Sequence, residues 1–154
     1  MQAANDIFYE KEAKEGIPPK PGVYPLFEFL KKNGYRIALA SSTKEEAVRR
    51  QMKAMGLLDY FEVLVCGDMV KRSKPNPDIY LKACELLQVL PEDSYAVEDS
   101  FHGIRAAHDA GMKAIMIPDL LPPTDEILKL TYRKFDSLME FQSYLEQLHA
   151  QEEK

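Results

Sequence analysis

Four short apolar runs, Tyr35 to Ala40, Glu62 to Cys66, Ser94 to Val97 and Lys113 to Ile117, are spaced along the chain with a helix-length segment between each successive pair. Strands joined in this way pair in parallel, because a parallel pair needs a long crossover connection and a helix supplies it. The spacing therefore predicts an α/β fold, a doubly wound parallel sheet with helices on both faces.

The intervening segments mark their own ends. Val23, Leu26, Phe27 and Leu30 recur at helical spacing, and Asn33-Gly34 supplies a stop. Thr43 with Glu46 three residues later forms a capping-box pattern, opening a helix to about Met55 ahead of Gly56. Asn76-Pro77-Asp78 offers an N-cap, a proline at the first helical position and an acid in the first turn of a helix to about Leu87. A further helix, Phe101 to Ala110, is closed by Gly111. Beyond Pro118 the pattern loosens into a short helix at Asp125 to Leu130, a short edge strand at Arg133 to Phe135 and a terminal amphipathic helix from Ser137 to about Gln147. The first twenty residues, rich in charge and closing with Ile17-Pro18-Pro19-Lys20-Pro21-Gly22, read as a helix remnant and a stiff linker. The expected core domain spans 21–154.

At 154 residues and 45% hydrophobic content the chain can build one packed core. Its 25 acidic residues outnumber 20 basic ones for a net charge of -5, which disfavours a nucleic-acid backbone or an anionic membrane as partner. An anionic ligand must be held by local groups. No apolar stretch approaches the roughly 20 residues that span a bilayer, and no basic-then-apolar signal opens the chain, so a cytoplasmic protein is expected. Cys66 and Cys84 have no metal-ligand spacing and read as buried free thiols.

In doubly wound sheets ligands gather beyond the carboxyl ends of the strands. After the first apolar run stand Ser41, Ser42 and Thr43, hydroxyls and backbone N–H groups at a helix start, which suit an anion or, equally, only cap the helix. After the second stand Lys71, Arg72 and Lys74, the last held by a following proline where its ammonium can cover a phosphate; a solvated basic loop is the plainer reading, above all for Lys71 and Arg72. After the third come Glu98, Asp99 and Ser100: paired carboxylates suited to Mg²⁺, with helix capping by Asp99 or Ser100 as the structural alternative. His102, His108 and His149 show no partner pattern.

The stretches Ile37 to Thr43, Ser73 to Tyr80 and Val97 to Ile104, in this order and each after an expected strand, resemble the haloacid dehalogenase superfamily, in particular its β-phosphoglucomutase-like branch. The resemblance covers about Pro21 to Ile117. It implies that Ser41 is the phosphate-binding hydroxyl with the Ser42 amide beside it, that Lys74 stabilises the transferring phosphoryl group, and that Glu98 and Asp99 hold Mg²⁺. The implied activity is a phosphatase or phosphomutase acting on a small phosphorylated metabolite through an aspartyl-phosphate in the full-length protein. The alternative is a non-catalytic phosphate-binding or interaction module derived from the same fold.

One departure is large. Members of the family open with a strand ending in an Asp-x-Asp pair whose first carboxylate is the nucleophile, and no such pair occurs here. Residues 1–20 are then expected to be a cap remnant, and the central position of the sheet, between the strands ending at Ala40 and Glu98, to lack its strand. Exposed central edges invite another chain. Either a longer protein, direct closure of the gap, or a dimer or strand exchange is expected, and the chain alone is expected to be inactive.

Overall fold

The computed structural model describes residues 6–9, 21–118 and 122–152, with the backbone alone at 6–9 and 152. Six strands, β1 (Asp6–Tyr9), β2 (Arg36–Ala40), β3 (Val63–Val65), β4 (Ser94–Glu98), β5 (Lys113–Met116) and β6 (Arg133–Lys134), form one sheet in the order β3-β2-β1-β4-β5-β6. Every pairing is parallel. The helices are α1 (Val23–Lys32), α2 (Glu45–Ala54), α3 (Asp78–Leu87), α4 (Phe101–Asp109), α5 (Asp125–Leu130) and α6 (Leu138–Glu152). The α/β, doubly wound class read from the strand spacing is the class observed.

Two expectations about the amino terminus are corrected. Asp6–Tyr9 is a strand rather than part of a helix remnant, while the remainder of the expected remnant and linker, 1–5 and 10–20, lies outside the described residues. The central position is also filled: β1 pairs with β2 on one side and β4 on the other, Tyr9 standing level with Leu39 and with Val97. A strand bearing an Asp-x-Asp pair is absent, but its place in the sheet is not. The inner edges of β2 and β4 are therefore occupied within the chain, and the edge-based argument for a dimer or strand exchange loses its ground.

The period of two along the strands sorts the core into two layers. Ile37, Leu39, Tyr95, Val97, Ile115 and Ile117 face one side, where Leu26, Phe27 and Leu30 of α1 and Leu138, Phe141 and Leu145 of α6 cover them. Ala38, Ala40, Ala96, Ala114 and Met116 face the other, beneath Ile79, Ala83 and Leu87 of α3 and Ile104 and Ala107 of α4. The small side chains on that second face let α3 and α4 lie close to the sheet. Large residues fill the first face instead, and Phe27, fully buried, meets Tyr60 and Phe61 edge-on at 5.5 and 5.6 Å.

Helix starts differ in detail from the expected caps. Residue Lys44, not Thr43, is the N-cap of α2 and offers it no side-chain bond; the Glu45 N–H donates to Asp68 Oδ1 at 3.2 Å. Pro77 stands at the N-cap of α3, while the Asn76 amide turns back to the Ser73 carbonyl at 3.0 Å. Ser100 caps α4, its hydroxyl accepting from Gly103 N–H at 3.0 Å.

Candidate functional site

Strand order reverses at β1, so the loops after β2 and β4 diverge on either side of it and leave a crevice at the carboxyl rim. Because Tyr9 is level with Leu39 and Val97, Ser41 and Asp99, each two residues further on, stand at equal height across β1. Two interstrand spacings separate them, about 10 Å. Ser41 is fully buried, and its hydroxyl oxygen accepts the Thr43 N–H at 3.2 Å, which leaves the hydroxyl proton to donate elsewhere. Ser42 is exposed at the same loop and Asp99 half-buried.

The loop carrying Ser41 is locked to the loop after β3. Ser41 N–H donates to the Val65 carbonyl at 2.9 Å, and Gly67 N–H to the Thr43 carbonyl at 2.9 Å. Gly67 lies so close to the Ser42 carbonyl that an added Cβ would overlap it. With Asp68 capping α2 as well, the second loop fixes the first at four points. Next to Gly67, burial raises the Cys66 thiol to about 11, with the Asp68 and Glu45 carboxylates adding to the effect. Neither Cys66 nor Cys84 is in a disulfide, and both are buried.

On the other side of β1 a buried cluster forms. Lys74 Nζ donates to Glu98 Oε1 at 2.6 Å, with the two side chains only 6% and 0% exposed. Tyr80, fully buried on α3, donates its hydroxyl to the same Oε1, and Lys74 Nζ lies 5.2 Å from the centre of the Tyr80 ring. Glu98 Oε2 is buried and has no hydrogen-bond partner among the described residues. It abuts Gly103 in the first turn of α4, where any Cβ would overlap it. The positive end of that helix offsets part of the cost of burying an unpaired carboxylate oxygen.

The structure thus brings Lys74 and Glu98 into contact, sets Asp99 beside them, and places Ser41 and Ser42 across the crevice. Lys71 and Arg72 are exposed, and Arg72 is committed to Asp78 at 2.8 Å. His102 and His108 are exposed as well; His149 meets the Tyr35 hydroxyl at 2.8 Å, in the contact between α6 and the start of β2. A groove of about 750 Å³, lined by Glu28, Lys32, Asn33 and Glu146 among others, lies at the opposite, amino-terminal end of β2. Tyr80, Gly67 and Gly103 are site residues to which the sequence alone assigns no role. A tyrosine on the apolar face of α3 was the available signal, since a buried phenol finds a partner for its hydroxyl.

A profile described as haloacid dehalogenase-like hydrolase matches residues 1–117. The chain belongs to the haloacid dehalogenase-like hydrolase family. Among relatives of this family, the phosphorylated carbohydrates phosphatase of Thermotoga maritima is 41% identical over 101 residues, covering 66% of this chain and 47% of the relative. A CbbY variant from Rhodobacter sphaeroides, solved in complex with xylulose-(1,5)bisphosphate, superposes with a TM-score of 0.72 at 37% identity, covering 81% of this chain and 56% of that one. An uncharacterized protein from Listeria monocytogenes serotype 4b shares the fold alone, with a TM-score of 0.76 at 17% identity over 95% of this chain and 99% of that one. The chain spans about half the length of the curated relatives it matches.

The donor chemistry at the rim suits Mg²⁺, which takes hard oxygen ligands and keeps several waters. Among the described residues no group of three or more His, Cys, Asp and Glu gathers for a metal. A cation here would therefore rely on Glu98 and Asp99 with water and a bound phosphate. The unsatisfied Glu98 Oε2 is the observation that fits such an ion.

Proposed function

We propose that this rim seats a phosphoryl group and a Mg²⁺ ion, and that the full-length protein is a phosphatase or phosphomutase acting on a small phosphorylated metabolite in the cytoplasm. The reading is supported by the strand order, which sets Ser41 and Asp99 at the carboxyl ends of the two strands flanking β1, with the buried Lys74–Glu98 pair next to Asp99. The names of the relatives, among them phosphatases for phosphorylated carbohydrates and for phosphoglycolate, support the same class.

Each residue has a distinct task in this reading. The Ser41 hydroxyl donates to a phosphate oxygen, and the start of α2 presents backbone N–H groups and the positive end of a helix to the same anion. Lys74 sets a fixed positive charge against the charge that spreads over the phosphoryl oxygens during transfer. Glu98 and Asp99 hold the cation, which when bound neutralises phosphate charge. Burial of Lys74 and Glu98 excludes water from the pair and keeps both geometries fixed.

A second reading draws on a different observation. The chain has no Asp-x-Asp pair, so a binding module that keeps the anion site without the chemistry accounts for the same rim. The two separate cleanly in an assay of the full-length protein against a panel of phosphate esters with Mg²⁺. Turnover that Lys74→Ala lowers by about 100-fold or more, the scale of losing one preorganised charge contact, supports the enzyme. Phosphate and Mg²⁺ binding with no turnover on any ester supports the module. The 154 residues alone are expected to be inert, and robust hydrolysis by them would refute the need for a nucleophile from elsewhere.

A further inference from the structure

Glu98 uses its two oxygens unequally. Oε1 accepts from both Lys74 and Tyr80, while Oε2, buried as well, accepts from nothing among the described residues. A carboxylate with a single lysine partner can pivot and share both oxygens with the ammonium. Tyr80 prevents this, because its ring is fixed in the core against Ile79, Ala83 and the sheet, and its hydroxyl adds a second, directional bond to the same oxygen. The ring also lies under the Lys74 ammonium, so one side chain braces both members of the pair.

We propose that Tyr80 is a positioning residue: it commits Glu98 Oε1 to the protein and so reserves Oε2 for a divalent cation. The inference deepens the reading of Glu98 as a metal ligand and rests on it. Outer-sphere partners that orient a ligating carboxylate commonly carry 10- to 100-fold in metal affinity. Tyr80 stands in that relation to Glu98, reaching it from an element that carries none of the other site residues.

The test needs no turnover. Mn²⁺, a spectroscopically visible divalent probe, is titrated into the 154-residue chain, its Tyr80→Phe variant and a Glu98→Gln variant, and melting temperatures are recorded with and without the ion. Phenylalanine keeps the ring and its packing, and far-ultraviolet spectra check that the fold is retained. Tyr80→Phe is expected to weaken Mn²⁺ binding by about 10-fold and to shrink the rise in melting temperature that Mn²⁺ produces. A merely structural tyrosine would lower the melting temperature equally in both conditions and leave Mn²⁺ affinity unchanged. That result, with Glu98→Gln still impaired, would overturn the role of Tyr80 and leave the site reading standing. Undiminished Mn²⁺ binding by Glu98→Gln, or none by the unaltered chain, would overturn both.

Discussion

The Lys74–Glu98 pair has a structural price as well as a functional use. Both groups lie out of water, so removing the lysine leaves the buried Glu98 carboxylate without its cation, a change that typically costs about 3 to 5 kcal/mol. Replacing both with neutral residues of similar shape removes the penalty along with the pair. Lys74→Met is therefore expected to lower the urea-unfolding free energy by that amount, and Lys74→Met combined with Glu98→Gln to recover most of it. Neither variant should regain phosphate binding by calorimetry. A double variant as unstable as the single one would mean that the lost stability comes from packing rather than from charge. Gly103 belongs to the same balance, since its missing side chain is the space that Glu98 Oε2 occupies.

At the scale of elements, the loop after β3 holds the loop after β2 in shape, and Gly67 is where the two press hardest. A Cβ at Gly67 meets the Ser42 carbonyl, which is backbone and cannot rotate away. Gly67→Ala is expected to destabilise by about 1 to 3 kcal/mol, the usual cost of overpacking, and to shift the Ser41 hydroxyl enough to weaken phosphate binding. Asp68→Ala removes one brace of the same loop, the bond to the start of α2, at about 1 kcal/mol, and is expected to weaken phosphate binding less than Gly67→Ala. Equal phosphate affinity in Gly67→Ala and the unaltered chain would show that the loop tolerates the movement. These braces also explain what could be read from the sequence and what could not. The runs at Arg36–Ala40 and Ser94–Glu98 and the helix at Val23–Lys32 were legible because length and periodicity along one segment specify them. Thr43 matched a local capping pattern, yet the Glu45 N–H is satisfied by Asp68, a partner beyond the reach of any local pattern. Ser41, Lys74 and Glu98 were legible as candidates by their positions after strands. That Glu98 turns inward to Lys74 and Tyr80 was not, because it depends on how closely α3 lies against the alanine face of the sheet.

For the whole molecule, the decisive element is the strand that sequence periodicity failed to reveal. Four residues, Asp6–Tyr9, are too few to display an alternation, and the run of charge that follows them reads as helix or linker. Yet they complete the sheet, with four register positions to β2 and four to β4. Without them two inner edges would face each other across a gap, lined by the backbone of β2 and β4, whose residues are almost all buried. Unpaired apolar edges of this kind recruit strands from other molecules. Deleting residues 1–9 is thus expected to convert the chain from a single species into dimers and larger assemblies on size-exclusion chromatography with light scattering, and to lower its melting temperature. The loss should exceed that from trimming residues at the carboxyl end of α6, which touches no strand pairing, so the comparison isolates the sheet from general shortening. A deleted chain that stays monomeric with an unchanged melting temperature would mean that β2 and β4 close on each other directly, and the crevice between Ser41 and Asp99 would then narrow to a single interstrand spacing, about 5 Å.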